Sequence, residues 1–364
     1  MRLGLVVGAL KTGGSERQLC ELAAGMAERS HAVEVAAYDG PGTFDQWVTM
    51  HGVTVRHGGG GSRIAKVQWL RRWLATFDPD VVHGFMKRAS SLAVLATLPE
   101  RRPAVVGSDL STATYSRRQP VLWASLVLFA FARLVVTQTE MNSRSLKRLA
   151  PWLHRKVVVV RNGCDTARFL PAAGPRPARP FRFLSVGTIY RVKNPVGVVE
   201  AFRRLRDRGF EGSLDWAGAP GSDGQYVEAQ RRISAYGLEQ VVRFVGRQPR
   251  MEEVYPRYDA LVHVSVQEGV PNAVVEAMAC GLPIIVSRVS DLPLIAREAK
   301  NGLVCDETDP GAVADAMQAL VEMPAAEREL LGIQSRAFAE RWFGRERFLD
   351  EYEALYSRLA ARGQ

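Results

Sequence analysis

The sequence predicts an α/β protein built from two doubly wound domains, and three observations carry the prediction. Short apolar, β-rich runs alternate with longer helical patterns from end to end. The alternation is interrupted once, by a stretch rich in proline and alanine, and then restarts. The chain has 364 residues, more than a single hydrophobic core usually serves. Strands apolar on both faces and separated by helices imply parallel sheets covered on both sides.

In the first half the alternation reads LGLVVGA, SERQLCELAAGMAE, AVEVAAY, VQWLRRWLATF, DVVHGF, SSLAVLATL, AVVGS, RLVVTQ and KVVVVRN, which predicts a domain over residues 1–164. Residues 165–180, DTARFLPAAGPRPARP, lack periodicity and read as a linker. FRFLSVG, PVGVVEAFRRLRDRG, SLDWAGA, QYVEAQRRISAYG, VVRFVGR, ALVHVS, NAVVEAMACG, PIIVS and GLVCDE then predict a second domain over residues 181–340. The last run is one long helical pattern whose aromatics, Phe338, Trp342, Phe343, Phe348, Tyr352 and Tyr356, read as packing residues and not as a ligand site. Two such domains leave a cleft, and ligands of open parallel sheets bind outside the carboxyl ends of the strands. The loops that carry chemistry are therefore expected to face that cleft.

The formal charge of +10 comes from dispersed arginines and suits phosphates, an anionic membrane surface or nucleic acid. The basic residues are scattered and no nucleic-acid reading motif is present, which ranks that class last. Cys20, Cys164, Cys280 and Cys305 are far apart and read as reduced, buried thiols of a cytosolic protein, with no metal framework. MRLGLVVGAL runs into a glycine loop, so it reads as a first buried strand and not as a signal peptide. The longest apolar stretch, VLWASLVLFAFA at 121–132, is shorter than the roughly 20 residues that span a bilayer. Either Arg117, Arg118 and Arg133 meet lipid head groups while Trp123, Leu126 and Phe129 face acyl chains, or the stretch is a helix packed between neighbours; the second reading is preferred.

Three loops follow predicted strands. In GALKTGGSERQL, Gly13 and Gly14 precede Ser15, an expected N-cap for a helix starting at Glu16, where backbone N–H groups approach an anionic or polar ligand. The loop is neither G-x-G-x-x-G nor a Walker loop, so dinucleotide binding and ATP hydrolysis lose their main support. SVGTIYRVKNP places Arg191 and Lys193 before a helix starting near Pro195, either as a diphosphate clamp or as solvated charges. SVQEGVPNAVVEAMACGLP carries Glu268 and Glu276 eight positions apart with no polar stripe between them. A strand ends at Ser265, and Pro271 and Asn272 open a helix that runs to Ala279 and stops at Gly281. An anion on the N–H groups of Gly269 to Ala273, flanked by carboxylates that accept from hydroxyls, describes a nucleoside diphosphate-sugar.

With these motifs in this order, the chain resembles the retaining glycosyltransferases of family 4, whose GT-B fold pairs two Rossmann-like domains across a cleft. The E-x7-E pattern is Glu268 to Glu276; NGLVCDETDP, VRNGCDTARF, VGTIYRVKNP and GGSER extend the resemblance over nearly the whole chain. The resemblance implies that Glu268 binds donor-sugar hydroxyls, Glu276 the ribose, and the N–H groups of Gly269, Val270, Asn272 and Ala273 the sugar or phosphate. Gly187 and Thr188 belong to the same donor loop as Arg191 and Lys193, with Lys193 neutralising the leaving diphosphate as charge builds on it. The family usually has an arginine where Thr188 stands, a charge that Arg191 supplies from the same loop. It often has His-x-His where this chain has His83 and Phe85, which makes His83 the matching catalytic candidate or else a structural imidazole. Acceptor contacts are expected from Gly13, Gly14, Lys87, Arg88, Ser108 and Asp109. The final helix, residues 341–364, is expected to cross back to the first domain. No cofactor and no metal are implied.

The function implied is retaining transfer of a hexose from a nucleotide sugar to a glycan or lipid-linked glycan in cell-surface polysaccharide biosynthesis. The expected place is cytoplasmic, peripheral at the inner-membrane face. Two alternatives stay open: an inactive nucleotide-sugar-binding partner subunit, and another GT-B enzyme such as a sugar-nucleotide epimerase or a phosphorylase.

Overall fold

The computed structural model describes residues 1–11, 13–100, 102–110, 120–174 and 179–361. The chain separates into two compact units, Met1–Gly163 with Glu346–Gln364, and Cys164–Arg345. Arg117 and Arg118, named above for a membrane contact, lie outside the described residues.

The first unit carries strands β1 (Arg2–Val7), β2 (Ala32–Ala37), β3 (Thr54–His57), β4 (Val81–Gly84), β5 (Ala104–Asp109), β6 (Leu134–Thr137) and β7 (Val157–Val159). They form one parallel sheet in the order β3-β2-β1-β4-β5-β6-β7. Helices α1 (Gly14–Glu28), α2 (Asp45–Met50), α3 (Arg63–Phe77), α4 (Met86–Thr97), α5 (Pro120–Phe129) and α6 (Glu140–Leu149) connect them. β1 buries every residue after Arg2, as a central strand covered on both faces must. Side chains set helix starts where the sequence supplies them: Ser62 Oγ accepts from Ala65 N at 3.2 Å for α3, and Thr139 Oγ1 from Asn142 N at 2.9 Å for α6.

The second unit repeats the plan with β8 (Arg182–Val186), β9 (Ser213–Ala217), β10 (Val242–Gly246), β11 (Ala260–His263), β12 (Ile284–Ser287) and β13 (Gly302–Cys305). Their order is β10-β9-β8-β11-β12-β13, again parallel. Its helices are α7 (Pro195–Asp207), α8 (Gln225–Ala235), α9 (Met251–Val254), α10 (Asn272–Ala279), α11 (Leu292–Ala299), α12 (Pro310–Glu322) and α13 (Ala325–Phe343). In both sheets the strand order reverses beside the first strand of the unit, between β1 and β4 and between β8 and β11. Loops on the two sides of such a reversal diverge and leave a crevice at the carboxyl edge.

Three expectations change, and one pair of alternatives is decided. The helix after β1 starts at Gly14 with Gly13 at its N-cap, two residues earlier than a cap at Ser15 predicts. The Glu16 carboxylate folds back over Gly13 so closely that a Cβ there would collide with it. Residues expected as a free linker are partly docked on the second unit: Phe169 is buried, and Arg336 donates to the carbonyls of Thr166 at 2.9 Å and Phe169 at 2.6 Å. Leu126 and Phe129 are fully buried in the core against β4, β5 and β6, as the preferred packed-helix reading has it and not the acyl-chain alternative. Finally, the C-terminal aromatic stripe belongs to two helices. Phe338, Trp342 and Phe343 on α13 pack in the second unit, whereas Phe348, Tyr352 and Tyr356 on α14 (Arg345–Ala361) pack in the first.

α14 completes the first unit's core. Leu349, Tyr352, Leu355 and Tyr356 lie with Leu19, Leu22 and Met26 of α1, and Arg29 at the end of α1 bonds Glu346, Asp350 and Glu353 at 2.6–2.8 Å. The deepest polar link is His83, fully buried in β4. Its Nδ1 lies 2.7 Å from Tyr356 Oη and its Nε2 2.5 Å from Ser108 Oγ. Burial pushes the imidazole down to about 3, so the ring is neutral at neutral pH. Tyr356→Phe strands that ring nitrogen in an apolar site, and a buried group left unpaired costs about 1–3 kcal/mol. We expect the urea or thermal unfolding midpoint of Tyr356→Phe to fall accordingly; an unchanged midpoint would refute this account of the α14 anchor.

Candidate functional site

The crevice of the second sheet brings together residues 75 positions apart in the chain. β8 leads into a loop in which Gly187 adopts a φ of +138°, where a Cβ would sit 3.1 Å from Lys193 Cε. The backbone conformation therefore favours glycine, and the lysine leaves little room for a side chain there. The Gly187 carbonyl accepts from Trp216 Nε1 at 2.8 Å, which ties the loop to β9. A short 3₁₀ turn, Arg191–Lys193, then turns the lysine inward before α7 starts at Pro195. Across the reversal, β11 ends at His263, and the following loop returns Glu268 to the same point.

Lys193 Nζ forms an ion pair with Glu268 Oε1, and His263 Nε2 lies 3.0 Å from that oxygen. Ser265 Oγ is 3.2 Å from the same ring nitrogen. Burial pushes the Glu268 carboxyl up, but the His263 hydrogen bond and the charges around it outweigh burial and hold it at about 2. His263 is itself pushed down, by burial first and by Lys193 second. We read the ring as a neutral donor and the glutamate as a carboxylate. A lysine and a carboxylate shielded from water interact strongly, and such a pair is costly to bury unless both ions are bonded.

Glu276 lies further along α10. It is 5% exposed and accepts from Tyr255 Oη at 2.9 Å. α10 starts at Asn272 behind Pro271, with Gly269, Asn272 and Ala273 half-buried and Val270 buried at its positive end. Thr188 and Arg191 are exposed, and Arg191 donates its backbone N–H to Asp223 at 2.7 Å. The structure thus places Lys193 against Glu268, leaves Arg191 on the same loop facing solvent, and holds Glu276 through a tyrosine.

In the first unit the expected acceptor residues sit at the carboxyl edge of β1, β4 and β5. They group in pairs: His83 with Ser108, and Lys87 Nζ 3.2 Å from Oδ1 of the fully buried Asp109. Arg88 is exposed, its guanidinium 5.8 Å from the Tyr38 ring. Gly13 and Gly14 open α1 at the same edge. Both ring nitrogens of His83 are occupied and none of its surface is exposed.

Sequence reasoning missed His263, whose place in ALVHVS reads as one polar residue inside a buried strand. It also missed Ser287, the last residue of β12, and Ser290 just after it, whose buried hydroxyl oxygens have no partner, on the same sheet edge as Glu268. Lys66 is a third omission: a helix lysine 5% exposed, paired with Asp39 beside Tyr38. Only their partners distinguish His263 and Lys66 from ordinary strand and helix residues. All four cysteines are free and buried, with Cys280 and Cys305 pushed up by burial to about 12. Among the described residues, no group of three His, Cys, Asp or Glu side chains is placed to hold a metal.

Two family models match consecutive parts of the chain, "Glycosyltransferase Family 4" over residues 12–168 and "Glycosyl transferases group 1" over residues 168–337. Among similar proteins, a D-inositol 3-phosphate glycosyltransferase of Corynebacterium jeikeium is 31% identical over 206 residues, covering 52% of this chain and 49% of that protein. One from Geodermatophilus obscurus is 28% identical over 319 residues, covering 81% and 64%. A protein of Escherichia coli named for colanic acid biosynthesis is 29% identical over 213 residues, covering 56% and 52%. The chain thus spans less than two thirds of each of these relatives. In structure, Anabaena HepE, solved with UDP, superposes with a TM-score of 0.86 at 18% identity over 98% of this chain and all of that one. Sucrose-phosphate synthase of Thermosynechococcus elongatus gives 0.80 at 20% identity over the whole of both. These likenesses establish the GT-B fold, and the family models, which together run from residue 12 to residue 337, establish the rest: the chain belongs to glycosyltransferase family 4.

Proposed function

We propose that the protein transfers a hexose, with retention of anomeric configuration, from a nucleoside diphosphate-sugar to a glycan or lipid-linked glycan in cell-surface polysaccharide biosynthesis. One observation carries this reading: a lysine and a carboxylate, shielded together at the crevice of the second sheet, with α10 beginning just beyond them. Breaking the anomeric C–O bond leaves its electron pair on the diphosphate. Lys193, with Arg191 on the same loop, faces that growing charge, while Glu268 accepts from sugar hydroxyls and Glu276 from the ribose. The acceptor hydroxyl bonds to the anomeric carbon on the departing face and gives its proton to the diphosphate. No metal or cofactor is assigned a step.

The neighbour solved with UDP and with UDP-glucose supports a uridine donor. Relatives named for inositol phosphate and for colanic acid support a hydroxyl-rich acceptor, which we place on Gly13, Gly14, Lys87, Arg88, Ser108 and Asp109. No helix among the described residues is long and apolar enough to cross a membrane. A peripheral contact at the cytoplasmic membrane face is instead assigned to the end of α5, where Val127 is 53% and Phe131 41% exposed, beside the exposed Arg133.

Three results are expected. UDP raises the thermal midpoint of the protein where GDP and ADP do not, and Glu276→Ala weakens UDP binding about tenfold or more, the scale of a lost charged hydrogen bond. If no nucleotide shifts the midpoint, the donor site is wrongly placed; a shift without any turnover moves the inactive-subunit reading to the front. Lys193→Ala lowers kcat/KM by about 10²–10³, the usual effect of removing a group that meets developing charge, with the fold retained by circular dichroism. Phe131→Ser combined with Arg133→Glu reduces co-sedimentation with phosphatidylglycerol vesicles, whereas equal binding excludes this surface.

A further inference from the structure

Lys193 and His263 meet the same oxygen of Glu268, Oε1. If Lys193 neutralises a departing diphosphate, it has to give up that oxygen, and a largely shielded carboxylate loses its cation at the moment it has to hold the sugar. His263 stays. It is the last residue of β11, paired in parallel with Val286 of β12, and its side chain is only 3% exposed. A carboxylate only accepts, so Nε2 carries the proton of this contact, and a neutral ring matches the downward push of burial and of Lys193. Such a donor keeps its bond to Oε1 whether Lys193 points at the carboxylate or at a phosphate.

We propose that His263 is a positioning residue for Glu268: its Nε2–H holds the carboxylate ionised and oriented while Lys193 transfers from Glu268 to the donor diphosphate. This rests on the donor-site reading given above. In effect the ion pair stores Lys193 until a diphosphate arrives, and the histidine removes the penalty that the exchange would otherwise place on Glu268. The bland alternative, a histidine that merely fills the end of a strand, makes a different prediction about side-chain reach. Glutamine places an N–H near the position of Nε2, whereas asparagine, one methylene shorter, reaches only the position of Nδ1.

The test compares His263→Gln with His263→Asn in the full chain, titrating UDP and UDP-glucose calorimetrically. In the UDP complex water solvates Glu268, so both variants are expected to bind UDP within about threefold of the unaltered protein. With the sugar in place water is excluded. His263→Asn is then expected to weaken UDP-glucose by about tenfold or more, the scale of a lost hydrogen bond to a charged group, while His263→Gln stays within about threefold. Equal behaviour of the two variants, or equal loss of UDP and UDP-glucose in His263→Asn, overturns the proposal and leaves the donor site standing. If the unaltered protein binds neither ligand, the donor reading fails and takes this one with it. Should His263→Asn not fold, the ¹⁵N spectrum of histidine-labelled protein decides, with the His263 signal identified by its loss in His263→Gln. A neutral Nε2–H ring that responds to UDP-glucose supports the proposal; an imidazolium or an Nδ1–H ring overturns it.

Discussion

The parallel pairing of β8 with β11 is the constraint from which the candidate site follows. β8 enters the sheet first and β11 fourth, yet they are neighbours, with Ala260 opposite Phe183 and Leu261 opposite Leu184. Each strand leaves a loop at the carboxyl edge, and because the strand order reverses there, no crossover helix covers the gap between them. Lys193 and Glu268 meet in that gap. The loops would have no reason to meet in any other strand order, and the segment that carries the E-x7-E pattern would lose the cation that balances it.

Shielding from water gives the pair its chemistry. An exposed lysine and glutamate contribute little to one another, but here both side chains are largely covered, so each depends on bonded partners. The carboxylate is bonded by both Lys193 and His263, whereas the lysine is bonded by Glu268. This asymmetry lets the lysine move toward a phosphate more cheaply than the glutamate could be left alone. The exposed position of Arg191 complements it, since a solvated guanidinium can swing to an incoming diphosphate without breaking an internal ion pair.

The first unit uses buried polar groups for a different end. His83, Ser108 and Tyr356 connect β4, β5 and α14 through hydrogen bonds inside an aromatic environment that includes Phe85 and Tyr352. A neutral imidazole with both nitrogens engaged is inexpensive to bury and specifies which helix packs there. The C-terminal helix is thereby part of the first unit's core, so the edge that carries Lys87, Arg88 and Asp109 is built on residues from both ends of the chain.

Much of this was legible in the sequence, because parallel sheets impose a pattern that survives without coordinates: apolar runs, helical periods, a Gly-Gly turn, and two glutamates in a setting with no solvated stripe. Lys193, Glu268 and Glu276 could be named from spacing and chemistry, and Gly187 from the family resemblance. The roles of His263 and His83 could not, since a histidine in an apolar strand looks the same whether it faces a carboxylate or a tyrosine hydroxyl. Nor could the division of the C-terminal aromatics between α13 and α14, for Gly344 reads as one weak position in a continuous helical period until its backbone leaves the helix. The sequence by itself determined the elements, their periodicity and the residue types at the sheet edges, all of which depend on local chemistry. Only the tertiary structure decided the strand order, and hence which cation meets which carboxylate and which imidazole is buried, because those contacts join residues tens to hundreds of positions apart.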